Sequence, residues 1–256
     1  GRTDDKGDAY GKYFEGNGIK QENLTMIHNL ELPVVEVNQE TPTIKSIRLE
    51  KNNFGYKPGQ YMRVELGPGD DDTHPLSIAS SPTEDFLMFS TKVSESSFKK
   101  KFNELKAGDK VKIKGPMGMF VLDENAKNIV FLGGGIGITP FRGMIKYSTD
   151  KKLQIKLTLL YSNKTQDEIC YKNEWNLWQN QNPNLKVVNT ITDETANWSG
   201  RKGRIDEKMI KEFCSDLSNT LFYICGPPGM VDGLSQLLKS MNVPQQNIKV
   251  EKFIGY

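Results

Sequence analysis

The stretch "FLGGGIGITPFRG", residues 131–143, decides how this chain is to be read. An apolar run, "NIVF" (128–131), leads into it. Glycines follow, then Thr139 and Pro140, then a segment with helical spacing. A loop leaving the C-terminal end of a parallel strand is where an open α/β sheet takes its ligand. Glycines there let backbone N–H groups approach a phosphate with no Cβ in the way. Proline costs nothing in a first helical turn, because that N–H has no intrahelical partner. Pro140 therefore predicts a helix start, and the glycines before it a pyrophosphate cradle. The pattern is GxGxxP, from Gly135, Gly137 and Pro140, not the GxGxxG of the usual dinucleotide fingerprint. A second stretch, "YICGPPGM" (223–230), repeats the logic of strand, glycine–proline turn and helix. In a parallel sheet both turns open on one edge.

Working outward, strands and helices alternate after about residue 127. Strands are expected at "NIVFLG", "IKLTLLYS", "LKVVNTIT", "TLFYICG" and "NIKVEKF", and helices over 140–147, 167–178, 206–213 and 229–241. Such alternation predicts a doubly wound parallel sheet with helices on both faces. Upstream, short β-branched and aromatic runs ("LPVVEVNQ", "TIKSIRLE", "QYMRVELG", "HPLSIAS", "FLMFSTKV", "DKVKIKG") are separated by Pro, Gly, Asn and Asp. They predict an antiparallel meander or barrel, interrupted by one helix at "SFKKKFNEL". The expected organisation is a polar tail or linker over 1–31, an all-β domain over 32–125 and an α/β domain over 126–256.

A formal net charge of +2 gives no bulk attraction to nucleic acid or membrane. No apolar run approaches the roughly twenty residues that span a bilayer. Cys170, Cys214 and Cys225 are too scattered for a disulfide framework, a zinc site or an iron–sulfur cluster. They point to a reducing compartment and a cytoplasmic protein, with no metal.

Taken together and in order, these motifs resemble the ferredoxin–NADP reductase superfamily, both bacterial ferredoxin or flavodoxin reductases and NADH–cytochrome b5 reductases. The resemblance runs over about residues 32–256. It rests on "PGQY" (58–61), "HPLSIASSP" (74–82), "SSFKKKFNELKAGDKVKIKGPMGMF" (96–120), "GGGIGITPF" (133–141), "YSNKTQDEI" (161–169), "CGPPGM" (225–230) and "EKFIGY" (251–256). It implies a barrel that holds FAD and an α/β domain that holds NADH or NADPH, with the two rings stacked at the interface.

By this resemblance "HPLS" stands where the family has Arg-x-Tyr-Ser/Thr. Ser77 is expected near the flavin atom that takes the hydride. His74 replaces an arginine that pairs with the flavin pyrophosphate, and Leu76 an aromatic that packs on the ring, so looser flavin binding is expected. Pro75 and Ile78 flank them. Ser96 and Ser97 are expected to present helix N-terminal N–H groups to the pyrophosphate, and Gly115 and Gly118 to make the turn beneath. On the nucleotide side the resemblance implies Gly134, Gly135, Gly137, Thr139 and Pro140, then Ser162 and Lys164, then Cys225, Gly226, Pro227 and Met230. Cys225 would guide the nicotinamide ring sterically, Glu251 would be a carboxylate at the flavin edge, and Phe253 or Tyr256 would cover the ring.

Thr192-Asp193 stands where NADPH-using relatives read Ser-Arg, and an aspartate there favours NADH. Lys164, Arg201, Lys202 and Arg204 in neighbouring loops could instead bind a 2′-phosphate. The expected acceptor is a small redox protein (ferredoxin, flavodoxin or cytochrome) or a small molecule; Lys99, Lys100 and Lys101 read as the solvated side of an amphipathic helix, with a basic docking face as the alternative. The alternatives are a ferric or free-flavin reductase, and an FAD-bearing electron-transfer subunit of a larger complex.

Overall fold

The computed structural model describes residues 26–193 and 195–253. Its N-terminal half is one six-stranded antiparallel sheet, curled around a core. The strands are β1 (His28–Thr41), β2 (Ile44–Glu50), β3 (Tyr61–Glu65), β4 (Thr73–Ser77), β5 (Phe86–Lys92) and β6 (Lys110–Met117), in the order β4-β3-β6-β1-β2-β5. This is not a simple meander, because β6 inserts between β3 and β1. β1 begins at His28, inside the stretch assigned to the tail, and residues 28–33 pair with β6. Alternation sends Leu32, Ile47, Leu49, Met62, Val64, Val111 and Ile113 inward, where they are almost fully buried. Helix α1 (Ser97–Glu104) plugs this core with Phe98 and Phe102; Ser96 caps it by accepting from the Lys99 N–H.

The C-terminal half is a six-stranded parallel sheet of β7 (Asn128–Gly134), β8 (Lys156–Asn163), β9 (Leu185–Ile191), the short β10 (Arg201–Lys202), β11 (Thr220–Gly226) and β12 (Ile248–Lys252). The strand order is β10-β9-β8-β7-β11-β12. The chain therefore winds one way from β7 and then returns to its other side, which puts the switch point between β7 and β11. Helices α2 (Thr139–Asp150) and α3 (Lys172–Gln181) cover one face through Phe141, Met144, Trp175 and Trp178. Helices α4 (Glu207–Phe213) and α5 (Pro228–Ser240) cover the other through Met209, Ile210, Val231 and Leu238. Three helices follow the expected spans closely. The exception is α3, which begins at Lys172 and not near residue 167, because Tyr171 holds a left-handed φ of 58° that a helix cannot propagate.

One core is shared by the two halves. Ile44, Ala79, Met88, Phe120 and Leu122 from the barrel side pack in a single cluster with Phe131, Phe141, Met144 and Tyr223. The connecting segment is pinned as well: the Tyr223 hydroxyl donates to the Val121 carbonyl (2.8 Å) and accepts from the Asp123 N–H (3.0 Å). All three cysteines are free thiols and buried. Among the described residues no helix is long and apolar enough to cross a membrane.

Candidate functional site

The two glycine–proline turns lie side by side. β7 and β11 are hydrogen-bonded neighbours with Gly133 opposite Cys225, so Gly134–Pro140 and Gly226–Pro228 leave the sheet at the same edge, as expected. The first turn is packed tight. Residues 135–138 form a 3-10 turn, and a Cβ on Gly137 would lie 2.3 Å from the Cys225 carbonyl oxygen. The Tyr161 hydroxyl donates to Gly135 O at 2.9 Å and the Thr139 hydroxyl to Ile136 O at 3.1 Å. Gly134, Gly137, Thr139 and Pro140 are buried by this packing. They support the site from behind, while Gly135, at a left-handed φ of 52°, stays half exposed, with the Lys92 ammonium 3.9 Å from where its Cβ would be.

The second turn opens on a cavity of about 550 Å³ lined by Ser162, Thr192, Arg204, Ile205, Gly229, Met230, Gly233, Leu234 and Leu237. A Cβ added to Gly229 or Gly233 would meet no atom within 4 Å. Bare helix backbone at the start of α5 thus faces open space beside a guanidinium, which fits a nucleotide with a pyrophosphate. Of the expected nucleotide contacts, Ser162 and Met230 stand on this wall. Met230 also reaches back, its sulfur 2.3 Å from where a Gly134 Cβ would be. Asp193 follows Thr192 at the rim, where Thr195 donates to its carboxylate through N–H (2.9 Å) and hydroxyl (2.6 Å) and holds its pKa below the ordinary value. Lys164 is exposed and its carbonyl accepts from the Asp193 N–H. Arg201 is paired with Glu212, and Lys202 donates to Ala196 O.

A second cavity, of about 260 Å³, lies between the domains and is lined by Tyr61, His74, Pro75, Ser77, Glu251, Lys252 and Phe253. The Ser77 hydroxyl comes from the barrel and Glu251 from β12. They meet at 3.5 Å, the outer limit of a hydrogen bond. Burial pushes the Glu251 carboxyl up to about 7, with the Ser77 contact opposing. A proton is therefore held at this edge near neutral pH. Glu251 pairs across the sheet with Cys225, which is fully buried, its thiol pushed well up by burial. Cys225 is thus no nucleophile. Phe253 packs on the same cluster as Cys225 and donates its N–H to Gly226 O at 3.0 Å. Of the two covering aromatics expected from the C-terminal stretch, Phe253 lines the slot, while Tyr256 falls outside the described residues.

Several barrel residues are placed differently from expectation. Leu76 pairs with Met62 and points with it into the barrel core, 3% exposed. It cannot pack on a ring in the slot, because strand pairing fixes which face it presents. Ile78 is also fully buried. The aromatic on the slot wall is Tyr61, across the ladder from Ser77, and sequence reading missed it. Gly118 leaves room for it: a Cβ there would sit 2.8 Å from the Tyr61 ring, while Gly115 pairs with β1 as part of β6. His74 reaches the slot but rests edge-on against Phe98 at 5.0 Å, and burial and Lys99 hold its pKa down. The Ser97 hydroxyl is committed to Asp72 (2.7 Å), leaving the cap of α1 to Ser96. The proposed basic face on α1 is not one. Lys99 is buried, Lys100 pairs with Glu95 and Lys101 with Asp72.

These two walls fit a flavin ring and a nicotinamide nucleotide. Ser77, His74, Tyr61 and Phe253 are the residues that would hold the first, and Ser162, Arg204 and the start of α5 the second. The comparisons with known proteins agree. Residues 26–122 match the FAD-binding domain family and residues 131–236 the oxidoreductase NAD-binding domain family. Flavohemoprotein A of Dictyostelium discoideum is 29% identical over 216 residues, covering 77% of this chain and 52% of its own length. An NADH-cytochrome b5 reductase-like protein of Arabidopsis thaliana is 36% identical over 137 residues, covering 52% of this chain and 42% of its own length. The chain thus spans about half the length of these curated relatives. The FAD/NAD-binding domain of nitric oxide dioxygenase from Vibrio cholerae superposes with a TM-score of 0.78 at 22% identity, covering 87% of this chain and 98% of that one. An FAD-binding domain over 26–122 followed by an oxidoreductase NAD-binding domain over 131–236 makes this chain an FAD- and NAD-binding oxidoreductase.

Proposed function

We propose that this chain takes hydride from NADH onto FAD and passes the electrons singly to a separate one-electron carrier such as a ferredoxin, flavodoxin or cytochrome. The observation that carries the reading is the meeting of Ser77 and Glu251, one from each domain, at a slot between a flavin-side wall and the nicotinamide-side strand end. Flavin supplies the step from two-electron to one-electron transfer. The chain's own groups orient and protonate. Ser77 can donate or accept at the slot, and Glu251 holds a proton that Ser77 can relay. Phe253 would cover the flavin wall and keep water off it until a nicotinamide ring displaces it.

Arg204 on the cavity wall suits the pyrophosphate common to both nucleotides, while Asp193 at the rim disfavours a further phosphate dianion. This supports NADH over NADPH. The test is anaerobic mixing of the FAD-loaded chain with each nucleotide. NADH is expected to bleach the flavin at lower concentration than NADPH, and Asp193→Arg to narrow or reverse that order. A parent preferring NADPH overturns the nucleotide assignment. A flavin left oxidised by both overturns the reading as a whole.

A further inference from the structure

The slot is one link in a closed circuit of contacts, and the strongest link is far from any cofactor wall. Arg142, on α2 just past the glycine turn, is 1% exposed. Nη1 donates to Ala79 O (2.9 Å) and Glu84 Oε2 (2.9 Å). Nη2 donates to Glu84 Oε1 (3.1 Å) and Glu174 Oε1 (2.5 Å), and Nε to Glu174 Oε2 (2.7 Å). All five guanidinium N–H donors are thereby used. The Tyr171 and Trp178 rings lie 5.5 and 5.4 Å away. Glu84 is itself fixed to the barrel, its Oε2 accepting from the Ser81 N–H at 2.7 Å. Gly143, the next residue, brings the helix backbone against the same strand extension: a Cβ would lie 2.8 Å from Ser80 O and 3.3 Å from Ile78 O.

The circuit runs from Ser77 along the chain to Ala79 and Ser80, across to Arg142 and Gly143, and back up α2 to Gly137. From there it crosses to Cys225, then to its ladder partner Glu251, and returns to Ser77. Every crossing between chain segments except the last is a tight polar or backbone contact. An ion pair buried this deeply adds little stability over apolar packing, but its geometry is strict. We propose that Arg142 is a positioning residue for hydride transfer: its fork, with Gly143, fixes the separation between the flavin-side wall at Ser77 and the nicotinamide-side strand ends. This rests on the reductase reading above. A displacement of about 1 Å between reacting groups is enough to slow a reaction about a hundredfold.

Two variants test it. Arg142→Lys keeps the charge but offers three donors on a single atom where the planar guanidinium makes five hydrogen bonds. Gly143→Ala keeps the guanidinium but forces the Ser80 backbone away. The first readout needs no cofactor. Spin labels at Lys106→Cys and Lys239→Cys, one exposed site in each domain, should give one narrow distance in the parent, a broadened one with Arg142→Lys and a shifted one with Gly143→Ala. The second is the first-order rate of flavin bleaching by NADH, measured beside the dissociation constants of FAD and nucleotide. Bleaching should slow by about tenfold or more, with both dissociation constants within about threefold of the parent. If Arg142→Lys fails to fold, Gly143→Ala carries the test alone. Unchanged label distances, or a parental bleaching rate in a folded flavin-loaded variant, overturn the proposal. So does a rate lost only in proportion to flavin lost. A parent that is not bleached overturns the reductase reading instead, and the label distances still decide the role of Arg142.

Discussion

Helices α2 and α5 begin alike, each with a proline in its first turn after a parallel strand, yet they do opposite work. The approach to α2 is packed on protein: Gly137 in the turn is pressed on the Cys225 backbone, and Gly143 in the helix on the Ser80 backbone. The start of α5 is bare, with Gly229 and Gly233 facing nothing within 4 Å. Glycine in the first case permits two backbones to meet, within the parallel-sheet domain at Gly137 and across the two domains at Gly143. In the second it leaves room for something that is not protein. A glycine–proline turn therefore signals a close approach, and only its surroundings tell whether the approaching group is backbone or ligand.

The largest effect expected from this contrast is at Gly137. Its Cβ would need to displace the Cys225 carbonyl, a backbone group, so Gly137→Ala should cost about 3 kcal/mol or more in denaturant unfolding. A smaller loss than about 1 kcal/mol would mean that the first turn is as open as the second.

Next comes the slot between them. The Glu251 carboxyl is raised from its ordinary 4.5 to about 7 in the folded chain. Folding then favours the protonated form. That stability is complete below pH 4.5 and is lost as pH rises through about 7. Glu251→Gln should flatten this fall, by about 2 kcal/mol at most given that the carboxyl is not fully buried. His74 at the same slot works in the other sense. Its pKa is depressed, so its contribution is present above its ordinary 6.5 and is lost as pH falls below that value. Unfolding midpoints of the flavin-free chain between pH 4.5 and 8, with and without Glu251→Gln, separate the two. A slope unchanged by the substitution would place the titrating group elsewhere.

The smallest effect is at Gly233. Inside α5 an alanine is a better helix former, so Gly233→Ala should raise stability by about 0.5–1 kcal/mol. A leucine at the same place should instead fill the cavity and weaken nucleotide binding by about tenfold, read by titration calorimetry. Tight binding to Gly233→Leu would show that the cavity at α5 is not the nucleotide's.

What the sequence showed and what it hid follow from range. Strand, glycine turn, proline and helix lie within one short window, so both turns and their shared sheet edge were legible from residues alone. Ser77 and Glu251 lie 174 positions apart, and only the family resemblance brought them together. Leu76 was misplaced because the face a strand residue presents is set by its neighbour strand, here Met62 on β3, and not by its own motif. Tyr61 was missed for the same reason. Arg142 carries no local signal at all. A single arginine in an apolar helix segment looks like surface until its partners, 58 and 32 residues away, are seen to converge on it.

The pinned connector between the halves has a further bearing. With the Tyr223 hydroxyl clamped on Val121 and Asp123, the joint is a weld and not a swivel. Heating should melt barrel and sheet in one event, and a protease should find no soft seam there. Any breathing that admits a ligand has to occur at the far rim, where the Ser77–Glu251 contact is stretched to 3.5 Å.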